Sequence, residues 1–136
     1  LFKDNVRLET NFSPSVSASG NPGKLNQVFA NILINAVQAL PNGGTVKVST
    51  VSLDDCVLVM IEDDGEGITE DDLPHLFTPF FTTKPIGKGT GLGLSICYRI
   101  IVDEHGGEIL VDSTRGCTKF SIKLPLNRDD GFSRDV

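Results

Sequence analysis

Apolar and polar positions alternate with period two over VRLETNF (6–12), which predicts a strand, and a short second strand is expected near residues 15–19. Asn21 and Pro22 then form a start signal, with Asn21 as N-cap and proline in the first turn, for a helix over about 24–40. PNGG ends that helix in a tight turn. TVKVSTVSL and CVLVMIED are rich in β-branched residues and separated by an Asp pair, so they read as a hairpin. A short helix and a glycine-rich loop follow, then a helix over about 91–104 that ends at His105, Gly106 and Gly107. GEILVDS and TKFSIKLPL close the pattern as two strands. The sum is an α/β fold, a mixed sheet with helices packed on one face.

With 136 residues, the chain can bury a core without disulfide or metal staples, and the polar NRDDGFSRDV reads as a tail or linker over 127–136. The start at Leu1 without methionine gives the look of a piece of something longer. A net charge of −6 argues against the basic stripe of a nucleic-acid binder and leaves room for a small anion held by local groups. Apolar runs are too short for a membrane span and the first residues lack signal-peptide character, so a soluble domain is expected. Cys56, Cys97 and Cys117 are odd in number and far apart, and all three read as small buried hydrophobes.

Three stretches carry candidate chemistry. In TTKPIGKGTGLGLS (82–95) the glycines Gly87, Gly89, Gly91 and Gly93 lead into a helix, and Lys84 and Lys88 add positive charge. Backbone N–H groups and the helix dipole there suit phosphate, although a glycine string alone fits a surface loop as well. On the first helix Gln27, Asn31, Asn35 and Gln38 share an arc of roughly 80°, opposite Val28, Phe29, Ile32, Leu33, Ala36, Val37 and Leu40. Such an uncharged carboxamide face suits a polar ligand or a partly dry cleft; a packed interface is the alternative. DDGEGI (63–68) places carboxylates and a Gly-x-Gly turn at the tip of an apolar strand, as a pocket mouth or as an ordinary Asp-Gly turn.

In order, these stretches resemble the ATP-binding catalytic domain of sensor histidine kinases, of the superfamily shared with gyrase and MutL. NILINAVQA (31–39) is similar to the N box, DDGEGI to the G1 box, LFTPFFTTK (76–84) to the F box and GKGTGLGLS (87–95) to the G2 box. The likeness covers residues 1–126, and PFFTTKPIGKGTGLGLS is similar to the nitrogen-regulatory type. The resemblance implies a Bergerat fold, a two-layer α+β sandwich, with ATP and Mg²⁺ as ligands. It implies that Asn35 holds Mg²⁺, that Asn31 faces the phosphates, and that Asp63 accepts from the adenine amine with Thr118 assisting through water. It also implies nucleotide contacts at Gly65, Gly67, Ile68, Phe80, Lys84, Lys88, Gly89, Thr90, Gly91, Leu92, Gly93 and Leu94, with Asn31, Asn35 and Lys84 serving catalysis.

Two positions depart from the family pattern. Cys117 replaces a common glycine, which is expected to alter the adenine side of the pocket, and Asn21 stands where an aspartate often precedes the helix. Hydrolysing relatives carry a glutamate where this chain has Asn31; an amide cannot take a proton from water, so slow hydrolysis and an acceptor on another domain are implied. Neither His75 nor His105 resembles the phosphoacceptor histidine; a contact with its helix C-terminus is expected for His105. The implied partners are a histidine-bearing dimerisation domain and a response regulator, with no nucleic acid or direct membrane contact. A cytoplasmic location follows, with the parent protein free to be membrane-anchored. A nucleotide-binding module without phosphotransfer and a serine kinase of the anti-sigma-factor type are the alternative functions.

Overall fold

The computed structural model describes residues 5–12, 20–81 and 93–126. Alternation in the strands and threefold spacing in the helix sort the side chains into two layers. The first strand, β1 (Val6–Asn11), is followed by helix α1 (Pro22–Gln38), then β2 (Gly44–Ser52) and β3 (Cys56–Asp63). A short 3₁₀ turn at Leu73–His75 precedes helix α2 (Gly93–Tyr98), which continues as a π-helical turn (Arg99–Glu104). Strands β4 (Glu108–Thr114) and β5 (Cys117–Pro125) complete the fold. The sheet has five strands in the order β1-β2-β3-β5-β4. Only β1 runs parallel to its neighbour, β2; the remaining pairs are antiparallel, so the sheet is mixed as expected.

Helix α1 begins two residues before the expected start, because Pro22 occupies its first turn and Asn21 caps it, accepting from Lys24 N–H at 3.1 Å. It stops short of Leu40, whose side chain is nevertheless buried. The apolar stripe faces the sheet: Val28 and Ile32 are fully buried, together with Ile61, Ile100, Ile101 and Ile122 from the facing elements. Each such side chain contributes about 1.5–3 kcal/mol by leaving water. The expected second helix is divided, since its last six described residues widen into the π turn that buries Ile100 and Ile101 side by side. The strand expected at 15–19 lies outside the described residues.

The ends of the two helical segments are tied together. Asn21 N–H donates to His105 Nε2 at 2.9 Å, so Nδ1 carries the proton and donates to the Ile100 carbonyl at 2.7 Å. His105 thus satisfies a helix-end carbonyl, as its position suggests, and also anchors the α1 cap. Glu104 accepts from Lys24 at 2.9 Å and lies 3.6 Å from Arg99; the Lys24 hydrogen bond holds its carboxyl below the ordinary range.

Among the described residues, helices cover one sheet face. On the other, the register aligns Glu9, Lys47, Glu62, Lys119 and Asp112 in one row across all five strands, alternating in sign at every step. Opposite charges on facing strands contribute roughly 0.2–1 kcal/mol per pair. No described helix is long and apolar enough to cross a membrane.

Candidate nucleotide site

The neighbouring row, one residue along each strand, faces the helices. It reads Leu8, Val46, Asp63, Thr118 and Ser113 in order across the sheet, so three polar side chains from β3, β5 and β4 stand adjacent. Strand alternation is what separates this row from the charged one behind it. Asp63 and Thr118 are 5% and 4% exposed, the two buried polar residues among those described. Burial raises the Asp63 pKa above the ordinary carboxylate value; the Gly65 N–H opposes that shift and the charge of Asp64 adds to it.

The two aspartates at the strand tip divide their tasks. Asp63 Oδ1 accepts from Gly65 N–H at 3.0 Å, while Oδ2 has no protein donor among the described residues. A buried carboxylate oxygen without a donor is costly unless a ligand supplies one. Asp64 is exposed and accepts from Thr45 N–H at 2.8 Å, pinning the start of β2 to the turn.

The turn approaches its surroundings too closely for side chains. A Cβ on Gly65 would lie 2.5 Å from the Ala39 carbonyl, so the end of α1 rests directly on the turn. Gly67 has φ +91°, and a Cβ there would lie 2.5 Å from the Thr114 carbonyl. Ile68 N–H donates to Ser113 Oγ at 2.6 Å, and Ser113 Oγ lies 3.0 Å from Thr118 Oγ1. Asp63, Gly65, Gly67, Ile68 and Thr118 are therefore one physical site.

Asn31 and Asn35 are half-buried, between exposed Gln27 and Gln38. Asn35 is one helical turn from Ala39, about 6 Å along the axis from the contact with Gly65. The buried Cys97 thiol lies 3.8 Å from the Val28 carbonyl, and its pKa is pushed up to about 11 chiefly by burial, with nearby Asn31 opposing the shift. Gly93 opens the described part of α2, and Leu94 packs on the core. Phe80 is 73% exposed and adopts φ 70°, an unusual conformation for a side-chain-bearing residue. Its neighbours anchor the segment, Phe77 on the Tyr98 ring and Phe81 on His75. Lys84, Lys88, Gly89, Thr90, Gly91 and Leu92 lie outside the described residues.

Two expectations change. Cys117 is half-buried, unlike Cys56 and Cys97, so it is not a core residue. Its Sγ lies 3.8 Å from Glu62 Oε1, on the open face of the sheet, because alternation along β5 sends it opposite to Thr118. The thiol therefore does not line the adenine side. Ser113 escaped the sequence reading, although its place was derivable: once Arg115 and Gly116 are taken as the turn, with Gly116 at φ +84°, Thr114 pairs with Cys117 and Ser113 with Thr118.

Residues 20–128 match the family described as histidine kinase-, DNA gyrase B- and HSP90-like ATPase. Sporulation kinase E of Bacillus subtilis (strain 168) is 49% identical over 110 residues, 79% of this chain. The chain spans only 14% of that relative's length. The catalytic domain of histidine kinase ThkA superposes with a TM-score of 0.81 at 32% identity, covering 90% of this chain and 81% of that one. ThkA in complex with the response regulator TrrA superposes with a TM-score of 0.77 at 29% identity, over 90% of this chain and 35% of that one. The chain belongs to the histidine kinase-, DNA gyrase B- and HSP90-like ATPase family, and within it to the ATP-binding catalytic domains of sensor histidine kinases.

Proposed function

We propose that this domain holds Mg·ATP with its adenine against Asp63 and Thr118, and delivers the γ-phosphoryl group to a histidine on a separate dimerisation domain. The observation that carries the reading is the buried Asp63 carboxylate, with Oδ2 lacking a donor among the described residues and Thr118 beside it. The adenine amine is a donor of the kind that oxygen needs. Gly65 and Gly67 keep the wall free of side chains, and Ile68 closes the turn.

Asn35 is the candidate Mg²⁺ ligand. Among the described residues no three His, Cys, Asp or Glu side chains gather as a metal cage. One neutral amide oxygen suits an ion that keeps waters and takes its remaining ligands from phosphates. When bound, Mg²⁺ supplies charge neutralisation at the phosphates. Asn31 lies one turn further along α1, toward the phosphate end. Lys84 and Lys88, with the backbone of Gly89, Thr90, Gly91, Leu92, Gly93 and Leu94, are proposed to cradle the phosphates, and Phe80 to border the same cleft. Asn31 offers no basic group to activate water, and an incoming imidazole brings its own nucleophilic nitrogen. The domain then has only to hold the γ-phosphate in line and neutralise its charge.

The stretch 79–95 favours the nitrogen-regulatory type of kinase, and the ThkA complex favours a response regulator as the downstream partner. Both readings place the domain in the cytoplasm. The test is transfer of label from γ-labelled ATP to a histidine-bearing dimerisation fragment, as an acid-labile product. Tight ATP binding with no transfer would refute the kinase reading. Asn35→Ala should abolish the Mg²⁺-dependent part of ATP affinity; an unchanged Mg²⁺ dependence would remove Asn35 from the site.

A further inference from the structure

Ser113 Oγ meets three groups: Ile68 N–H at 2.6 Å, Thr118 Oγ1 at 3.0 Å and the Cys117 carbonyl at 3.5 Å. The amide can only donate, so it occupies a lone pair of the serine oxygen. One hydroxyl proton remains, and it has two candidate acceptors. At 3.0 Å the Thr118 oxygen is within the normal O–H···O range, whereas 3.5 Å to the carbonyl is outside it. Either oxygen can be the donor in the 3.0 Å contact, and the shorter distance favours Ser113 donating to Thr118 over the carbonyl.

That assignment fixes the polarity of the next hydroxyl. Two oxygens share only one proton along the line between them, so Thr118 must direct its own O–H elsewhere. Thr118 is 4% exposed, and no other described group lies within hydrogen-bond reach of its hydroxyl. A buried donor without an acceptor thus stands beside a buried acceptor, Asp63 Oδ2, in one row of the sheet. An acceptor next to a donor complements the edge of adenine, which presents its amine as donor and the adjacent ring nitrogen, N1, as acceptor. Guanine presents the opposite order, an acceptor carbonyl beside an N–H donor.

We propose that Ser113 is a positioning residue for base recognition: by giving its proton to Thr118 while held by Ile68 N–H, it makes Thr118 a hydrogen-bond donor toward adenine N1, directly or through water. The inference rests on the ATP-site reading given above. It couples the Gly-x-Gly turn to base identity, because the same serine oxygen fastens Ile68 and orients Thr118.

Titration of the chain with ATP and with 1-deaza-ATP, in which N1 is replaced by C–H, tests it. Wild type should bind ATP more tightly than the deaza analogue. Ser113→Ala should weaken ATP about tenfold, the value of one oriented hydrogen bond, and leave 1-deaza-ATP within about twofold of wild type. Ser113→Thr, which keeps the hydroxyl, should restore the preference. Equal weakening of both nucleotides in Ser113→Ala would show a merely structural serine and overturn the proposal, as would a preference that survives unchanged. Should Ser113→Ala fail to fold, Ser113→Cys, with its weak S–H donor, should show the same selective loss. Wild type that binds neither nucleotide would refute the site reading itself, and the proposal with it.

Discussion

Gly67→Ala puts a methyl group where the structure has little room for one, and the cost can be divided into two parts. The first is conformational: at φ +91° an L-residue loses about 1–2 kcal/mol relative to glycine. The second is steric. The new Cβ would lie 2.5 Å from the Thr114 carbonyl and 3.2 Å from Ser113 Oγ, both on β4, so strand and turn must separate. Overpacking of this kind costs about 1–3 kcal/mol, for a total of about 2–5 kcal/mol. At roughly 4 °C per kcal/mol for a domain of this size, thermal unfolding should fall by roughly 8–20 °C. Gly116→Ala supplies the internal control: its φ is +84°, but an added Cβ meets nothing within 4 Å, so only the conformational part applies. Denaturant melts of the two variants should therefore differ by about 1–3 kcal/mol, with Gly67→Ala the weaker. If they agree within about 0.5 kcal/mol, the approach of the turn to β4 is not the constraint claimed here.

The other expectations concern both faces of the sheet. Asp63 has a folded-state pKa raised by burial, so its ionisation opposes folding: stability present below the unfolded carboxylate value is lost as pH rises through the folded one. Asp63→Asn should therefore stabilise the empty domain at neutral pH, with the gain vanishing in acid, while ATP affinity falls; melts at both pH values would expose a wrong sign. Lys47→Glu sets a third acid between Glu9 and Glu62 and should destabilise by about 0.4–2 kcal/mol over two pairs, less in high salt; a salt-independent loss would implicate something other than charge. Cys117→Gly should leave ATP affinity unchanged, since the thiol points to Glu62 on the opposite face; a shift of more than about threefold by titration calorimetry would contradict that orientation.

Periodicity and punctuation were enough to read the sheet and both helical regions, because alternation in CVLVMIED and TKFSIKLPL and the Asn-Pro start of α1 are local signals. The buried acid of the candidate site was legible because Asp63 sits in a short motif at the tip of an apolar strand. What escaped depended on register or on closure between distant segments. Which of Asp63 and Asp64 is buried follows from the pairing of β3 with β5, and Ser113 joins Thr118 only through the β4–β5 hairpin. The expectation that Cys117 alters the adenine side comes from its replacing a family glycine, yet adjacent residues in a strand face opposite ways and Cys117 faces away from Thr118. The His105 bridge to Asn21 spans 84 positions, beyond any local pattern.

The π turn at Arg99–Glu104 gives the second helical segment a counting rule of its own. Such a turn is equivalent to an α-helix with one residue inserted, so loss of one residue from 99–104 would rewind it to ordinary pitch. The six residues at the wide pitch and the five that would remain at α pitch sweep nearly the same angle, so the flanking residues would keep their facing relative to His105 and its bond to Asn21. Gly93, Leu94 and Cys97 would hold their orientation, and the loss would fall on the side-by-side burial of Ile100 and Ile101. Among single-residue deletions, one within 99–104 should therefore be absorbed more readily than one within 94–98, which would turn Gly93 by about 100° about the helix axis.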